Sequence, residues 1–244
     1  MLRAMTLLLI GATREAQDLA RRLGQAGRPV LRRQSPSGRD PDVADEELSD
    51  EVRIGNLLEA GRVRAVLDMG HPFEAELSAR LWRVARERGL DHLRWMRAPW
   101  APGEADRWTA VRDEAAAGAA IPDGAVVFVA TGRESLTGLA PLAARATLWC
   151  RVLSAPETAW PFATGGWLPG TPPFSVEEEM TTLRDIGADW MVARNAGGQG
   201  NLSKFVAAAR LDLPVAMIDQ PAPPEGMDVT RDMARAEAFA DRWA

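Results

Sequence analysis

Short apolar runs recur along the chain, each followed by a polar or glycine-bearing break and then by apolar residues at helical spacing. Residues 5–10 predict a central strand, because an unbroken apolar run suits a strand buried on both faces. Gly11-Ala12-Thr13-Arg14-Glu15 follows, and Ala16, Leu19, Ala20 and Leu23 mark a helix that ends near Gly27. Residues 29–33 are expected as a second strand and 35–50 as a polar surface excursion. Residues 52–54 read as a short strand and 57–61 as a short helix. Ala65–Asp68 is the next strand; it runs into Met69-Gly70-His71-Pro72-Phe73, and a helix over 74–88 carries Leu77, Leu81, Val84 and Ala85 on one face. Residues 93–96 complete this first series.

Arg97-Ala98-Pro99-Trp100-Ala101-Pro102-Gly103 breaks regular structure and reads as a hinge. A second series then begins, with a strand at Trp108–Val111, an alanine-rich helix over 113–120 and a strongly apolar strand over 125–130. Thr131-Gly132-Arg133-Glu134-Ser135 starts a helix, 146–153 is a strand, and 155–173, rich in Pro, Gly and Trp, is expected to be an irregular loop. Ser175 caps a helix over 176–186, whose first turn carries Glu177, Glu178 and Glu179 in favourable register with the helix dipole. Strand 190–193 breaks into Arg194-Asn195-Ala196-Gly197-Gly198. Asn201-Leu202-Ser203-Lys204 opens a helix through Arg210, and Val215–Ile218 is a strand. A turn at 221–224 and a terminal helix over 228–243 finish the chain. Strands alternating with helices on both sides of a hinge predict an α/β fold of two parallel-sheet domains facing a cleft, 1–103 and 104–244, with right-handed crossovers.

Composition narrows the classes. With 244 residues, 46% of them hydrophobic and 26% charged, the chain is globular. A net charge of −5 argues against a surface that wraps nucleic acid. The single cysteine, Cys150, excludes an intrachain disulfide and a cysteine zinc cluster, and two histidines, His71 and His92, leave little for a transition metal. Magnesium held by carboxylates stays open. The apolar start resembles a secretory signal but is too short, and no segment approaches the ~20 apolar residues of a membrane helix. A cytoplasmic protein, monomer or homodimer, is expected. Of the nine tryptophans, Trp82 and Trp190 read as core.

Candidate chemistry gathers at strand ends. Gly197-Gly198 lets backbone N–H groups approach an anion, the following helix adds a partial positive charge, and Arg194 and Lys204 add full ones; a phosphate cradle and a plain turn are both open. Thr131-Gly132-Arg133 repeats the geometry, as a second anion contact or as a helix start capped by Thr131 or Ser135. Thr13 can cap the first helix and Glu15 suits its first turn, with or without a ligand. His71 lies at a strand's carboxyl end, as a site residue or a structural one.

Taken together these motifs resemble precorrin-6A reductase of cobalamin (vitamin B12) biosynthesis, including its cobalt-precorrin form, over nearly the whole chain. Leu9-Ile10-Gly11-Ala12-Thr13-Arg14-Glu15-Ala16 is similar to the family's Gly-Gly-Thr-x-Glu-Ala, and Asp68-Met69-Gly70-His71-Pro72-Phe73 to Asp-Ala-Thr-His-Pro-Phe. Arg97-Ala98-Pro99-Trp100 and Thr131-Gly132-Arg133 fit as well. Pro173-Phe174-Ser175-Val176-Glu177-Glu178-Glu179 resembles Gly-Pro-Phe-Ser-x-x-x-Glu. Arg194-Asn195-Ala196-Gly197-Gly198 with Lys204 resembles Lys-Asn-Ser-Gly-Gly…Lys, and Leu213-Pro214-Val215 closes the match. Ala12, Arg14, Gly70 and Arg194 depart from the pattern and mark a divergent member.

The resemblance implies two Rossmann-like domains and NADPH-dependent reduction of one ring double bond in a tetrapyrrole rich in carboxylates. It implies cofactor contacts at Gly132, Arg133, Arg194, Asn195, Ala196, Gly197, Gly198 and Lys204 in the second domain. Substrate contacts fall at Gly11, Thr13, Arg14, Glu15, His71 and Phe73 in the first, with His71 as candidate proton donor. The alternative is a homologue that binds nucleotide or tetrapyrrole without turnover, as a sensor or carrier.

Overall fold

The computed structural model describes residues 7–28, 30–34, 46–198, 200 and 202–244. The chain divides into two compact units, one made of residues 1–98 and 221–244, the other of residues 99–220.

Unit 1 is built on β1 (Leu7–Ile10), a wholly buried strand. After it come α1 (Arg14–Gln25), β2 (Leu31–Arg33), a 3-10 turn (Glu46–Leu48), α2 (Glu51–Ala60), β3 (Ala65–Asp68), α3 (Ala75–Glu87) and β4 (Asp91–Trp95). The chain's last elements, β11 (Val229–Thr230) and α8 (Met233–Trp243), belong here too. The sheet order is β11-β4-β3-β1-β2, all parallel. Successive side chains of a strand point to opposite faces, so Leu7 and Leu9 pack with Leu19 and Leu23 of α1 and Ala236 and Ala240 of α8. Leu8 and Ile10 pack with Ile54, Leu57, Leu58, Leu81 and Val84 of α2 and α3. Both faces being covered explains why β1 reads as an unbroken apolar run.

Unit 2 contains β5 (Trp108–Val111), α4 (Glu114–Ala120), β6 (Val126–Val129), a 3-10 turn (Arg133–Ser135) and α5 (Leu136–Ala143). It continues through β7 (Thr147–Val152), β8 (Gly165–Pro169), α6 (Val176–Asp185), β9 (Trp190–Arg194), α7 (Ser203–Arg210) and β10 (Val215–Ile218). Its sheet is also all parallel, in the order β5-β10-β9-β6-β7-β8. Phe128, Met191 and Ala193 pack against Leu183, Phe205 and Ala208, which form one face of the core.

Five sequence-based expectations need correction. Residues 52–54 are not a strand: α2 is one helix from Glu51, because the Asp50 carboxylate accepts from Arg53 N at 2.8 Å and caps it, and Ile54, Leu57 and Leu58 bury one helical face. The loop 155–173 contains β8, which can lie against β7 only because Gly165 has no Cβ; one there would come within 1.9 Å of Leu148 O. The terminal helix begins at Met233, capped by Asp232, and Val229–Thr230 before it is a strand paired with β4. That pairing returns 221–244 to unit 1 rather than to a second domain running from 104 to the end. Trp82 and Trp190, expected in the core, are each partly exposed. Among the described residues no helix is long and apolar enough to cross a membrane.

Candidate functional site

In each unit one pair of adjacent strands sends its following loops to opposite faces, and the crevice outside their carboxyl ends is where open α/β sheets accept ligands. In unit 1 that pair is β1 and β3. Gly11 leaves β1 at φ +139°, and a Cβ there would sit 2.5 Å from Met69 O, so the two loops touch backbone to backbone. Thr13 Oγ1 donates to Met69 O at 3.1 Å and accepts from Ala16 N at 3.2 Å, which caps α1 and ties it to the loop after β3. The structure thus brings Gly11 and Thr13 together with the segment that carries His71 and Phe73.

His71 is held on several sides. Its N–H donates to Glu74 Oε2 at 3.0 Å, its carbonyl accepts from Arg94 Nη2 at 3.3 Å, and Phe73 N donates to its Nδ1 at 3.3 Å. An N–H facing Nδ1 requires the lone pair there, so the neutral ring carries its proton on Nε2. The Phe73 ring centroid lies 5.9 Å from the imidazole. Behind this loop Asp68 and Arg94 form a buried ion pair, and the other Asp68 oxygen accepts from Gly70 N at 2.9 Å. Burial raises the Asp68 pKa, but the Arg94 guanidinium opposes it and the net direction is down.

Arg14 is exposed at the first residue of α1 and has no hydrogen-bond or ion-pair partner among the described residues. Glu15 is already engaged. Arg97 Nε donates to its Oε1 at 3.0 Å and Nη2 to its Oε2; burial pushes the carboxyl up, the Arg97 bonds pull it down, and the net shift is down.

In unit 2 the pair is β6 and β9. Gly132 has φ +84° and open space around it, and Arg133 is exposed with no hydrogen-bond or ion-pair partner among the described residues. Thr131 Oγ1 and Ser135 Oγ lie 2.5 Å apart, and Ser135 Oγ donates to Gly132 O at 2.7 Å; neither hydroxyl caps the helix start. After β9, Gly197 and Gly198 have φ +67° and +84°, a conformation that glycine adopts without strain. Two predicted contacts are turned to other partners. Arg194 Nη2 donates to Glu114 Oε1 at 2.7 Å. Asn195 grips the Trp100 backbone, accepting from its N at 2.7 Å and donating to its O at 2.9 Å. Trp100 Nε1 donates to Gly198 O at 2.7 Å, so the glycine turn is pinned in place.

Helix α7 starts at Ser203 behind an apolar residue, Leu202, with no side-chain cap among the described residues; α3 and α5 also lack one, whereas α1, α2, α4, α6 and α8 each have one. No described side chain satisfies its first N–H groups, the kind of donors an anion can accept from. Lys204 lies in that first turn. Its ammonium makes no hydrogen bond among the described residues, and burial lowers its pKa to about 8. Asn201 and Gln199 lie outside the described residues. Cys150 takes no part, since burial pushes its thiol up to about 12.

The precorrin-6x reductase CbiJ/CobK family model matches residues 6–241. The chain belongs to that family. It is 35% identical to precorrin-6A reductase of Rhodobacter capsulatus over 228 residues, covering 89% of each protein. It is 34% identical to precorrin-6A reductase of Mycobacterium tuberculosis over 241 residues, covering 94% of this chain and 95% of that protein. A solved structure titled CobK precorrin-6A reductase is similar with a TM-score of 0.82 at 30% identity, covering 98% of both chains.

As a member of the CbiJ/CobK family the chain has one further clue that motif reading missed. Lys204 is its only lysine among 29 lysines and arginines. A sequence that uses arginine at every other basic position keeps an ammonium here. Sequence reading also missed Arg94, and it gave Asp68 and Trp100 places in motifs but no role, because the partners of all three are remote in the chain and leave no local signature.

Proposed function

We propose that this protein reduces a ring carbon–carbon double bond of precorrin-6A, or of its cobalt form, with NADPH, in cobalamin biosynthesis. The observation that carries the reading is the uncapped start of α7, preceded by Gly197 and Gly198 and holding the chain's one lysine. Helix N-terminal N–H groups, a nearby ammonium and a glycine turn are the chemistry a phosphate group requires. The residues fit the cofactor: backbone N–H groups at Gly197, Gly198 and Ser203, with Lys204 and Arg133, would hold its phosphates. Arg194 is already paired with Glu114 and contributes less. NADPH supplies the hydride when bound.

The chain's own residues bind and orient. In unit 1 the exposed Arg14 guanidinium suits a tetrapyrrole carboxylate, beside the fixed Gly11–Thr13 turn. His71 is assigned as the proton donor in that crevice: delivery from Nε2 starts from the imidazolium, whose Nδ1–H displaces the Phe73 N–H contact, and leaves a neutral ring. Glu15, occupied by Arg97, holds α1 in position and is not a direct contact in this reading.

Incubating the purified protein with precorrin-6A and NADPH tests this. NADPH is expected to be consumed with formation of a dihydro product. Binding of both without consumption would overturn the enzymatic reading in favour of a sensor or carrier.

A further inference from the structure

A turn built on Gly197-Gly198 is soft. Glycine has more backbone freedom to lose than any other residue, so ordering two in succession at the moment of binding costs affinity unless the fold has ordered them already. The structure orders them through one residue, Trp100, which follows Pro99 at the start of unit 2 and belongs to the segment that reads as a hinge in the sequence.

Trp100 closes on both ends of the turn. At the near end, Asn195 N donates to Ile218 O at 2.8 Å, which carries the β9–β10 ladder one residue past β9. The Asn195 side chain, on a residue only 5% exposed, accepts from Trp100 N at 2.7 Å and donates to Trp100 O at 2.9 Å. At the far end, Trp100 Nε1 donates to Gly198 O at 2.7 Å. A further contact reaches α7. The Trp100 ring meets the Phe205 ring edge-on with centroids 5.1 Å apart, and Phe205 directly follows Lys204 in the first turn of that helix. One indole thus touches the glycine turn and the helix start, the two parts that a phosphate site needs.

We propose that Trp100 is the positioning residue of the phosphate site: its Nε1–H fixes the Gly198 carbonyl while its ring, seated on Phe205, sets where that carbonyl stands relative to the first turn of α7. Asn195, expected from the sequence as a cofactor contact, acts through Trp100 instead. This inference rests on the glycine turn and Lys204 holding the cofactor's phosphates, as proposed above, and adds what keeps the turn ready.

A second tryptophan supplies the control. Trp108, on β5, packs on the same Phe205 ring with centroids 5.3 Å apart, yet its Nε1 is buried with no hydrogen-bond partner among the described residues. The two indoles share a packing partner and differ in the bond to the turn.

Wild type, Trp100→Phe, Trp108→Phe and Lys204→Ala are compared as full chains for NADPH affinity by equilibrium titration, for melting temperature and for steady-state reduction of precorrin-6A. Trp100→Phe keeps an aromatic ring beside Phe205 and loses the donor. It is expected to weaken NADPH binding about tenfold, the worth of one hydrogen bond that organises the turn. The KM for NADPH should rise with it while kcat at saturating NADPH holds, the pattern of lost binding rather than lost chemistry. Trp108→Phe is expected to lower the melting temperature and leave NADPH affinity as in wild type.

Two results would overturn the positioning role. One is a Trp100→Phe protein with a lowered melting temperature and wild-type affinity, which would reduce the indole to packing. The other is an equal loss of affinity in Trp108→Phe, which would assign the effect to Phe205 rather than to the bond at Gly198. In both cases Lys204→Ala still binds weakly. Wild-type affinity in Lys204→Ala would instead remove the phosphate reading, and this inference with it. Should Trp100→Phe fail to fold, replacing Trp100 with its benzothienyl analogue keeps the bicyclic ring and puts sulfur in place of Nε1–H. The same loss of affinity is expected, and unchanged affinity would overturn the proposal.

Discussion

Arg94 lies directly opposite Asp68 in the register between β3 and β4, and their side chains, 3% and 1% exposed, close an ion pair beneath the loop that carries His71. The same guanidinium reaches the His71 carbonyl. One buried pair therefore fixes the end of β3 and the orientation of the loop that follows it. Asp68→Ala is expected to destabilise the protein by about 3–5 kcal/mol, because it leaves Arg94 buried without its counter-charge. Denaturant unfolding checks this; a loss under about 1 kcal/mol would mean that water solvates Arg94 as it does a surface pair. The pH dependence has a definite sign. The folded pKa of Asp68 is below the ordinary 3.8, so its contribution is present above that value and is lost as pH falls through the folded one.

Basic residues in unit 2 should separate by whether the fold already employs them. Lys204→Ala is expected to weaken NADPH binding by about 1.5–3 kcal/mol, the loss of a charge-assisted contact, and Arg133→Ala by an amount toward the lower end. Arg194→Ala should cost less affinity than either, and should lower the melting temperature by leaving Glu114 without its partner. Equilibrium titration of the three variants checks the order. A larger affinity loss at Arg194 than at Lys204 would move the phosphate site toward β9.

His71→Ala is expected to lower turnover with NADPH affinity unchanged, because the ring is assigned to proton donation rather than to cofactor binding. The loss should fall within the roughly 10²–10⁴-fold that positioned proton transfer provides. Turnover equal to wild type would leave solvent as the proton source and give His71 a structural role.

Gly11→Ala is expected to disturb both loops of the unit 1 crevice. Its φ of +139° is one that L side chains rarely adopt, and its Cβ would lie 2.5 Å from Met69 O. Strain of about 1–3 kcal/mol should appear in the unfolding free energy, with weaker substrate binding as the Thr13–Met69 contact shifts. Gly27→Ala serves as a comparison: its φ is +70°, but its Cβ would meet nothing within 4 Å, so it should affect stability and leave substrate binding intact.

Much of the fold was legible in local pattern. A strand covered on both faces must be apolar at every position, as Leu7–Ile10 and Val215–Ile218 are. Ser175 with Glu178 forms the capping box that its spacing suggests, the hydroxyl accepting from Glu178 N and the carboxylate from Ser175 N. Where two local signals compete, pattern misled. Val52 and Ile54 are β-branched and read as a strand, but the Asp50 cap and the burial of one helical face prevail.

The sequence by itself determined the alternation of strands and helices, the glycine turns at their ends and the membership of those turns in a reductase family pattern, because each depends on residues close together in the chain. Only the tertiary structure decided that Val229–Thr230 joins β4, that Glu114 occupies Arg194, that Asn195 serves Trp100, and that Glu179 pairs with Arg151. Those facts are pairings across long sequence separations. Which partner a charge takes is set by what the folded chain brings within a few ångströms of it, and no local spacing encodes that.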